Sequence, residues 1–218
     1  MPRHLRPDNV KGLYVIIDAR FSLGRSCLEV AEAAIRGGAR VIQLREKELP
    51  FAGSLAAALE IRKLTSEHGA VFIINDDARL ALECGADGMH LGQEDMPLAE
   101  ARAFMGGGKI IGVSTHSLEE ALAAQDGGAD YIGFGPMYRT ATKDSGMPKG
   151  PEGLRAIRDR IKIPIAAIGG INAGNAGEIV EAGADALAVI TAVTWAEDIA
   201  ASAAAISSVF GTNGGMNA

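Results

Sequence analysis

Gly127-Gly128-Ala129-Asp130-Tyr131-Ile132-Gly133-Phe134 contains the pattern that decides the fold of this chain. Glycine just past a helix adopts the left-handed conformation that closes the helix, and here an apolar run follows almost at once. The same arrangement occurs as Gly37-Gly38-Ala39-Arg40, Gly85-Ala86-Asp87 and Gly183-Ala184-Asp185. The spacing of these copies fits two strand–helix units each, which indicates an internal repeat.

Short apolar runs alternate with longer amphipathic stretches along the whole chain. The runs are rich in Val and Ile and do not alternate with polar residues, which is typical of strands buried on both faces of a parallel sheet. Parallel strands need a crossover connection, which a helix provides. The predicted strands are Leu13–Ile17, Ala39–Leu44, Val71–Ile74, Gly88–Leu91, Ile110–Val113, Tyr131–Phe134, Ile165–Ile168 and Ala186–Ile190. The predicted helices are Leu28–Arg36, Ser54–Glu67, Asp77–Cys84, Leu98–Phe104, Leu118–Gln125, Glu152–Arg160, Ala176–Glu181 and Glu197–Phe210.

Eight strand–helix units predict a single α/β domain over residues 1–218, a closed (β/α)₈ TIM barrel. An open, doubly wound parallel sheet is the alternative. We expect short flexible tails at about residues 1–11 and 211–218.

The composition excludes several classes of protein. Apolar residues make up 48% of the 218 residues and charged residues 22%, which excludes a chain dominated by disorder. The net charge of −6 argues against non-specific nucleic-acid binding and against a polybasic membrane surface. Cys27 and Cys84 lack metal-binding spacing and fit a reducing compartment. With neither a signal peptide nor a membrane-spanning apolar run, we expect a cytoplasmic protein, and a homo-oligomer is possible.

Charged and amide side chains follow the second predicted strand. In barrels of this type, residues at the carboxyl ends of the strands form the active site. Gln43 and Arg45 share one face of the strand, and Lys47 follows in the loop. Two cations and an amide in this position can bind an anion. The alternative is a strand that runs out into a solvated, charged loop.

Carboxylates follow the third and fourth predicted strands. Asn75-Asp76-Asp77 ends the third strand, and His90 and Asp95 belong to the segment that ends the fourth. Asp77 can cap the next helix, whereas carboxylates from adjacent loops can converge on Mg²⁺. His90 is open to several interpretations: ligand, base or hydrogen-bonded core residue.

The fifth predicted strand ends in Ser114-Thr115-His116-Ser117. Ser117 is a candidate N-cap, and Glu120 would complete a capping box. Ser114 and His116 are then candidate site residues. Because a third member of a Ser-His-Asp triad is missing, the sequence argues against nucleophilic catalysis.

Phosphate-binding features follow the last three predicted strands. Residues 136–153 form the longest predicted loop, which is either a lid or a mobile surface loop; its hydroxyls and cations suit a phosphate. The Gly169-Gly170 pair and the loop after the eighth strand occupy the usual phosphate position of such barrels. Two anion sites, one Mg²⁺ site and the lack of a strong nucleophile describe an enzyme that handles a diphosphate together with a monophosphate.

The chain closely resembles the thiamine-phosphate synthase family of (β/α)₈ barrels, from Leu13 to about Ile199. Six motifs fall in the family's order: Gln43-Leu44-Arg45-Glu46-Lys47, Asn75-Asp76-Asp77, His90-Leu91-Gly92-Gln93-Glu94-Asp95, Gly112-Val113-Ser114, Thr140-Ala141-Thr142-Lys143 and Ile168-Gly169-Gly170-Ile171. Arg139, where the family often has proline, and Ile17, where threonine is frequent, depart from the pattern.

The resemblance implies a reaction between two small molecules. A pyrimidinylmethyl diphosphate would be joined to a thiazole phosphate, giving thiamine phosphate and diphosphate with Mg²⁺ as cofactor. The implied ligands of the pyrimidine diphosphate are Gln43, Arg45, Lys47 and Asn75. Asp76 and Asp95 would bind the metal, while Ser114 and Lys143 would contact the diphosphate. The implied ligands of the thiazole phosphate are Thr140, Thr142, Gly170, Ile190 and Thr191. Arg45, Lys47, Ser114 and Lys143 would be the catalytic residues.

Three alternatives remain at this point. A thiazole tautomerase barrel would use His116 as its acid/base residue, but the paired carboxylates count against it. A sugar-phosphate isomerase barrel would leave Arg45 and Lys47 unexplained. A non-catalytic thiamine-phosphate-binding relative would be expected to have lost a charged site residue.

Overall fold

The structure is a computed structural model that describes residues 7–140 and 146–211. Its eight strands form a closed parallel barrel in chain order, and the last strand pairs with the first. This topology confirms the predicted TIM barrel and excludes the open sheet. The strands are β1 Gly12–Ile17, β2 Ala39–Leu44, β3 Val71–Asn75, β4 Gly88–Leu91, β5 Ile110–Thr115, β6 Tyr131–Phe134, β7 Ile165–Ile168 and β8 Ala186–Val189.

Helices cover the outside of the barrel. Within the described ranges they are α1 Cys27–Arg36, α2 Phe51–His68, α3 Ala78–Glu83, α4 Leu98–Met105, α5 Leu118–Asp126, α6 Gly150–Arg158, α7 Ala176–Glu181, α8 Thr191–Thr194 and α9 Ile199–Ser207. None of them combines the length and the apolar character that crossing a bilayer requires.

Two helices begin earlier than predicted, each next to a proline, and one short helix was not predicted. Helix α2 begins at Phe51, directly after Pro50 at its N-cap position, and α6 begins at Gly150 with Pro151 in its first turn. Proline is favoured in a first helical turn because its fixed φ suits the helix. Helix α8 was not predicted, since four residues are too few to show a helical period.

The N-terminal segment differs from the expected tail of residues 1–11 in its second half. Pro7–Asn9 form a 3₁₀ helix, and the side chain of Val10 is completely buried. Residues 1–6, 141–145 and 212–218 lie outside the described residues.

The repeated glycine motif performs the same local task in all four copies. Gly38, Gly85, Gly128 and Gly183 have φ of 95°, 68°, 89° and 106°. These left-handed values are strained for any residue with a Cβ atom. The glycines therefore end the preceding helix and direct the chain into β2, β4, β6 and β8.

In three of the four copies, the aspartate of the motif joins the strand that follows it to the preceding strand. The backbone N–H of Phe72 donates to the Asp87 carboxylate at 2.8 Å, and the N–H of Asp87 donates back to the Phe72 carbonyl at 2.9 Å. Arg62 from α2 pairs with the same carboxylate at 2.9 Å. We call this arrangement of aspartate, reciprocal backbone bonds and helix arginine an aspartate clamp.

Two further aspartate clamps repeat the contacts of the first. Asp130 accepts the N–H of Ile111 at 2.8 Å and pairs with Arg102. Asp185 accepts the N–H of Ile165 at 2.8 Å and pairs with Arg158. The three clamps fix the register of β3 with β4, β5 with β6 and β7 with β8.

The fourth copy carries Arg40 where the others carry aspartate, and the strand register shifts there. Leu13 pairs with Ala39, but Tyr14 pairs with Val41, so that Arg40 is the extra residue of a bulge. A guanidinium has no acceptor for a backbone N–H. The regular clamp is therefore impossible between β1 and β2, which is the pair of described strands whose register is irregular.

Replacing Asp87 by Asn tests the aspartate clamp. The amide keeps the size of the carboxylate but loses the charge that pairs with Arg62, in a side chain that is only 7% exposed. Losing a buried, charge-assisted contact should lower the free energy of unfolding by about 2–4 kcal/mol. Urea denaturation measures this change. Asp126→Asn, at an exposed position near the end of α5, is the control; equal losses in both variants would contradict the clamp's role.

Candidate active site

A cavity of about 790 Å³ opens at the carboxyl ends of the strands, and all eight strands or the loops after them contribute to its wall. It brings together most of the residues that the sequence singled out. Those lining it are Gln43, Arg45, Asn75, Asp76, Asp95, Ser114, Thr140, Gly170, Ile190 and Thr191. Lys47 reaches the same place through its contact with Asp76. Thr142 and Lys143 lie outside the described residues.

Arg45 is held by a buried carboxylate that the sequence analysis did not assign to the site. Asp18 directly follows β1 and is 2% exposed. It accepts hydrogen bonds from Arg20 at 2.7 Å and from the guanidinium of Arg45. Burial opposes ionisation of Asp18, but the bonds from the two arginines outweigh it and hold its pKa below the usual value. A carboxylate directly after an apolar strand was the available sequence signal.

Asp76 occupies a strained backbone position between two strands. Its φ is 61°, which is uncommon for residues other than glycine, although aspartate tolerates it better than most. The N–H of Asp76 donates to the carbonyl of His90 on β4 at 2.9 Å. Its carboxylate pairs with the Lys47 ammonium at 2.5 Å. This backbone conformation places the Asp76 carboxylate beside Lys47, at the carboxyl ends of β3 and β4.

The carboxylate of Asp95 lies next to that of Asp76. The N–H of Gly92 donates to Asp95 at 2.6 Å, which fixes the loop after β4. Burial raises the pKa of Asp76, and the neighbouring Asp95 raises it further, while Lys47 opposes both. Two carboxylates that disfavour each other's charge form a donor set that a hard divalent cation would stabilise.

Asp76 and Asp95 offer oxygen ligands of the type that Mg²⁺ prefers. In the described part of the chain, His, Cys, Asp and Glu side chains form no group of three or more that could hold a metal. Mg²⁺ usually binds one or two protein carboxylates and completes its octahedron with water and substrate phosphate. Asp76 and Asp95 could supply these carboxylates, since they lie next to each other.

A chain of hydrogen bonds crosses the floor of the cavity. The Gln43 amide donates to the Tyr14 hydroxyl at 2.6 Å, and the hydroxyls of Tyr14 and Tyr131 are 2.9 Å apart. His90 bonds to Tyr131 through Nδ1 and to Ser114 through Nε2, each at 2.9 Å. His90 is thus a hydrogen-bonded residue of the cavity floor. The two tyrosines were missed because each stands inside an apolar strand pattern.

The loop that follows β7 approaches the loop after β6 very closely. Gly169 and Gly170 have φ of 102° and 65°. A Cβ atom on Gly170 would lie 2.7 Å from the Arg139 carbonyl oxygen and 2.8 Å from Cβ of Tyr138. The glycine pair therefore allows the segment that leads to Thr140 to pack against the β7 loop. Ile190, directly after β8, and Thr191, which begins α8, lie on the same cavity wall.

The predicted capping box at α5 is only half present. Ser117 accepts the N–H of Glu120 at 3.2 Å, as expected. The Glu120 carboxylate instead accepts the backbone N–H of His116 at 2.7 Å, and it lies 3.2 Å from Nδ1 of the same residue. His116 lines the cavity, held beside a carboxylate at the start of α5. At α3, Asp77 is the N-cap and accepts the N–H of Leu80.

Comparisons with known proteins show which family this chain is similar to. Residues 13–193 match the family described as thiamine monophosphate synthase. A thiamine-phosphate synthase of Chloroflexus aurantiacus is 52% identical over 192 residues, which are 88% of this chain and 88% of that protein. One of Methanospirillum hungatei is 51% identical over 87% of this chain and 93% of the relative.

A solved structure gives the same relationship in three dimensions. Thiamine phosphate pyrophosphorylase from Pyrococcus furiosus superimposes with a TM-score of 0.87 at 40% identity, covering 94% of this chain and 98% of that one. With a family match over most of its length and relatives about half identical to it, the chain belongs to the thiamine monophosphate synthase family.

Proposed function

We propose that the protein joins 4-amino-5-hydroxymethyl-2-methylpyrimidine diphosphate to 4-methyl-5-(2-phosphoethyl)thiazole, giving thiamine phosphate and diphosphate. Family membership supports the reaction. The observation that carries it is the convergence of Arg45, the Asp76–Asp95 pair and Ser114 on one cavity. These groups suit a diphosphate that must be bound and then released.

The reaction breaks one bond and forms another at the same carbon. The C–O bond between the pyrimidine methylene and the diphosphate breaks, and the electron pair leaves with the diphosphate oxygen. The electron-rich aminopyrimidine stabilises the positive charge on the methylene carbon. The thiazole nitrogen then donates its lone pair to that carbon. Because this nitrogen carries no proton, the chain needs no general base, and catalysis reduces to placement and electrostatics.

The cavity wall divides into two halves in this proposal. Arg45 and Lys47 place positive charge beside the leaving diphosphate, while Gln43 and Asn75 hold the pyrimidine end. Ser114 and Lys143 donate to the diphosphate. Mg²⁺ held by Asp76 and Asp95 would neutralise part of the charge that develops on the leaving group. The thiazole phosphate is assigned to Thr140, Gly170, Ile190 and Thr191 on the other half, and also to Thr142, which lies outside the described residues.

Asp18 acts in this proposal through Arg45. Its buried carboxylate contacts the Arg45 guanidinium, whose side chain is 29% exposed, and so limits the orientations in which Arg45 can reach a phosphate. Both of the chain's cysteines are free thiols, which supports the cytoplasmic location that we include in the proposal.

Replacing Asp95 by Asn, or Arg45 by Ala, should lower turnover about 100-fold or more, because each removes a charge placed at the leaving group. The Asn side chain can still accept the N–H of Gly92, so Asp95→Asn should hardly change the melting temperature. Steady-state kinetics with both substrates and a thermal melt measure the two effects. Glu100→Gln, at an exposed position on α4, is the matched control. Loss of stability in proportion to loss of turnover would mean that these groups are structural.

Removal of divalent cations should abolish the release of diphosphate, and added Mg²⁺ should restore it. The reason is that the Asp76–Asp95 pair and the diphosphate are all negative, so that they repel each other without a cation between them. Treatment with EDTA, followed by titration with Mg²⁺ and measurement of thiamine phosphate, tests this. Full activity in the chelated enzyme would refute the metal assignment.

A further inference from the structure

The hydrogen bonds of the cavity floor join five side chains from five different strands into one line. We call this line the Gln43–Ser114 chain: Gln43, Tyr14, Tyr131, His90 and Ser114, with successive distances of 2.6, 2.9, 2.9 and 2.9 Å. It begins at one proposed contact of the pyrimidine and ends at one proposed contact of the diphosphate. Its middle lies inside the barrel, where Tyr14 and Tyr131 are 1% and 0% exposed.

Two glycines of the barrel strands leave the space that the Gln43–Ser114 chain occupies. A Cβ atom on Gly112 of β5 would lie 2.1 Å from Cζ of Tyr131. A Cβ atom on Gly133 of β6 would lie 3.1 Å from Cε1 of His90. Both glycines stand where a side chain would point into the barrel. The space that two ordinary core residues would fill holds instead the Tyr131 and His90 rings, whose centroids are 5.4 Å apart.

The hydrogen bonds of the Gln43–Ser114 chain run in one donor-to-acceptor direction, because each of its hydroxyls has one proton. Burial raises the pKa of Tyr14 and of Tyr131 well above the ordinary value, so both keep their protons at neutral pH. Tyr14 accepts from the Gln43 amide, and its own proton is therefore available for Tyr131. Tyr131 then has its proton available for Nδ1 of His90. If Nδ1 accepts from Tyr131, it carries no proton, and the proton of a neutral His90 is then on Nε2.

The donor of the last hydrogen bond, between His90 and Ser114, follows from the same count of protons. With its proton on Nε2, His90 would donate to Oγ of Ser114, 2.9 Å away, which would leave the Ser114 hydroxyl proton unused within the Gln43–Ser114 chain. Ser114 lines the cavity. In this order of protons, the Ser114 hydroxyl proton is available to the space in which the diphosphate is proposed to bind.

We propose that the Gln43–Ser114 chain is a positioning device, in which the Gln43 amide, through Tyr14 and Tyr131, holds His90 in the Nε2–H form and so turns the Ser114 hydroxyl proton toward the leaving diphosphate. Tyr14, Tyr131 and His90 are positioning residues in this scheme. The inference rests on the proposed function for the identity of the diphosphate, but the order of the protons does not depend on it. A core that served packing alone would need a partner for each hydroxyl, without a defined direction.

Nitrogen NMR of the protein labelled with ¹⁵N-histidine tests the order of the protons without substrate. The His90 signals are assigned by their loss in His90→Asn. In the unsubstituted protein we expect a proton on Nε2 and none on Nδ1. In Tyr14→Phe, which removes a hydroxyl two hydrogen bonds away from His90, Tyr131 becomes free to accept, and the Nδ1–H form should gain population. A proton on Nδ1 in the unsubstituted protein, or an unchanged ratio of forms in Tyr14→Phe, would overturn the proposal.

A double-mutant cycle tests the effect on catalysis. Tyr131→Phe should lower kcat about tenfold, the rate equivalent of one weakened hydrogen bond, and leave KM nearly unchanged. Ser114→Ala should lower kcat more, and the double variant should be no slower than Ser114→Ala, because Tyr131 acts through Ser114. Tyr138→Phe is the matched control, since that hydroxyl bonds to Glu178 outside the chain. Multiplied rate losses in the double variant would overturn the proposal.

The two experiments separate failure of this inference from failure of the proposed function. If Ser114→Ala keeps full activity, the assignment of Ser114 to the leaving group is wrong, and the catalytic half of the inference falls with it. The proton order measured by NMR would then still decide whether the chain has the stated direction.

Discussion

The register between neighbouring strands is the constraint on which the rest of the structure depends. A shift of one residue would turn every side chain of a strand to its opposite face. Asp87, Asp130 and Asp185 oppose such shifts in three strand pairs, because each carboxylate binds one specific backbone N–H of the preceding strand. With the register set in this way, the polar residues near the ends of the strands point into one cavity.

The clamps and the cavity lie at opposite ends of the barrel. Each clamp sits where a strand begins, whereas Arg45, Asp76 and Ser114 sit where a strand ends. Substitutions at the two ends should therefore have separable effects, on stability at one end and on turnover at the other. The separation leaves the catalytic end free to keep features that cost stability, such as the left-handed backbone of Asp76 and the crowding of two carboxylates.

The polar groups inside the barrel are paired with one another. Two tyrosine hydroxyls buried without partners would be costly, but the Gln43–Ser114 chain supplies a partner for each. The small residues that make room for it, Gly112 and Gly133, belong to the apolar strand patterns. The interior of this barrel is therefore partly a packed core and partly the support of the cavity floor.

The sequence by itself determined the order of strands and helices, the closed barrel and most of the polar residues around the cavity. It could do so because apolar runs, glycines that end helices and polar residues at strand ends are all local patterns. The barrel topology then brings the strand ends together. Only the tertiary structure decided that Asp18 holds Arg45, that Glu120 turns to His116, and that Tyr14, Tyr131 and His90 form one line. These contacts join residues that are distant along the chain or whose rotamers have competing partners. Which partner a side chain meets depends on packing in three dimensions, and that packing leaves no periodic signal in the sequence.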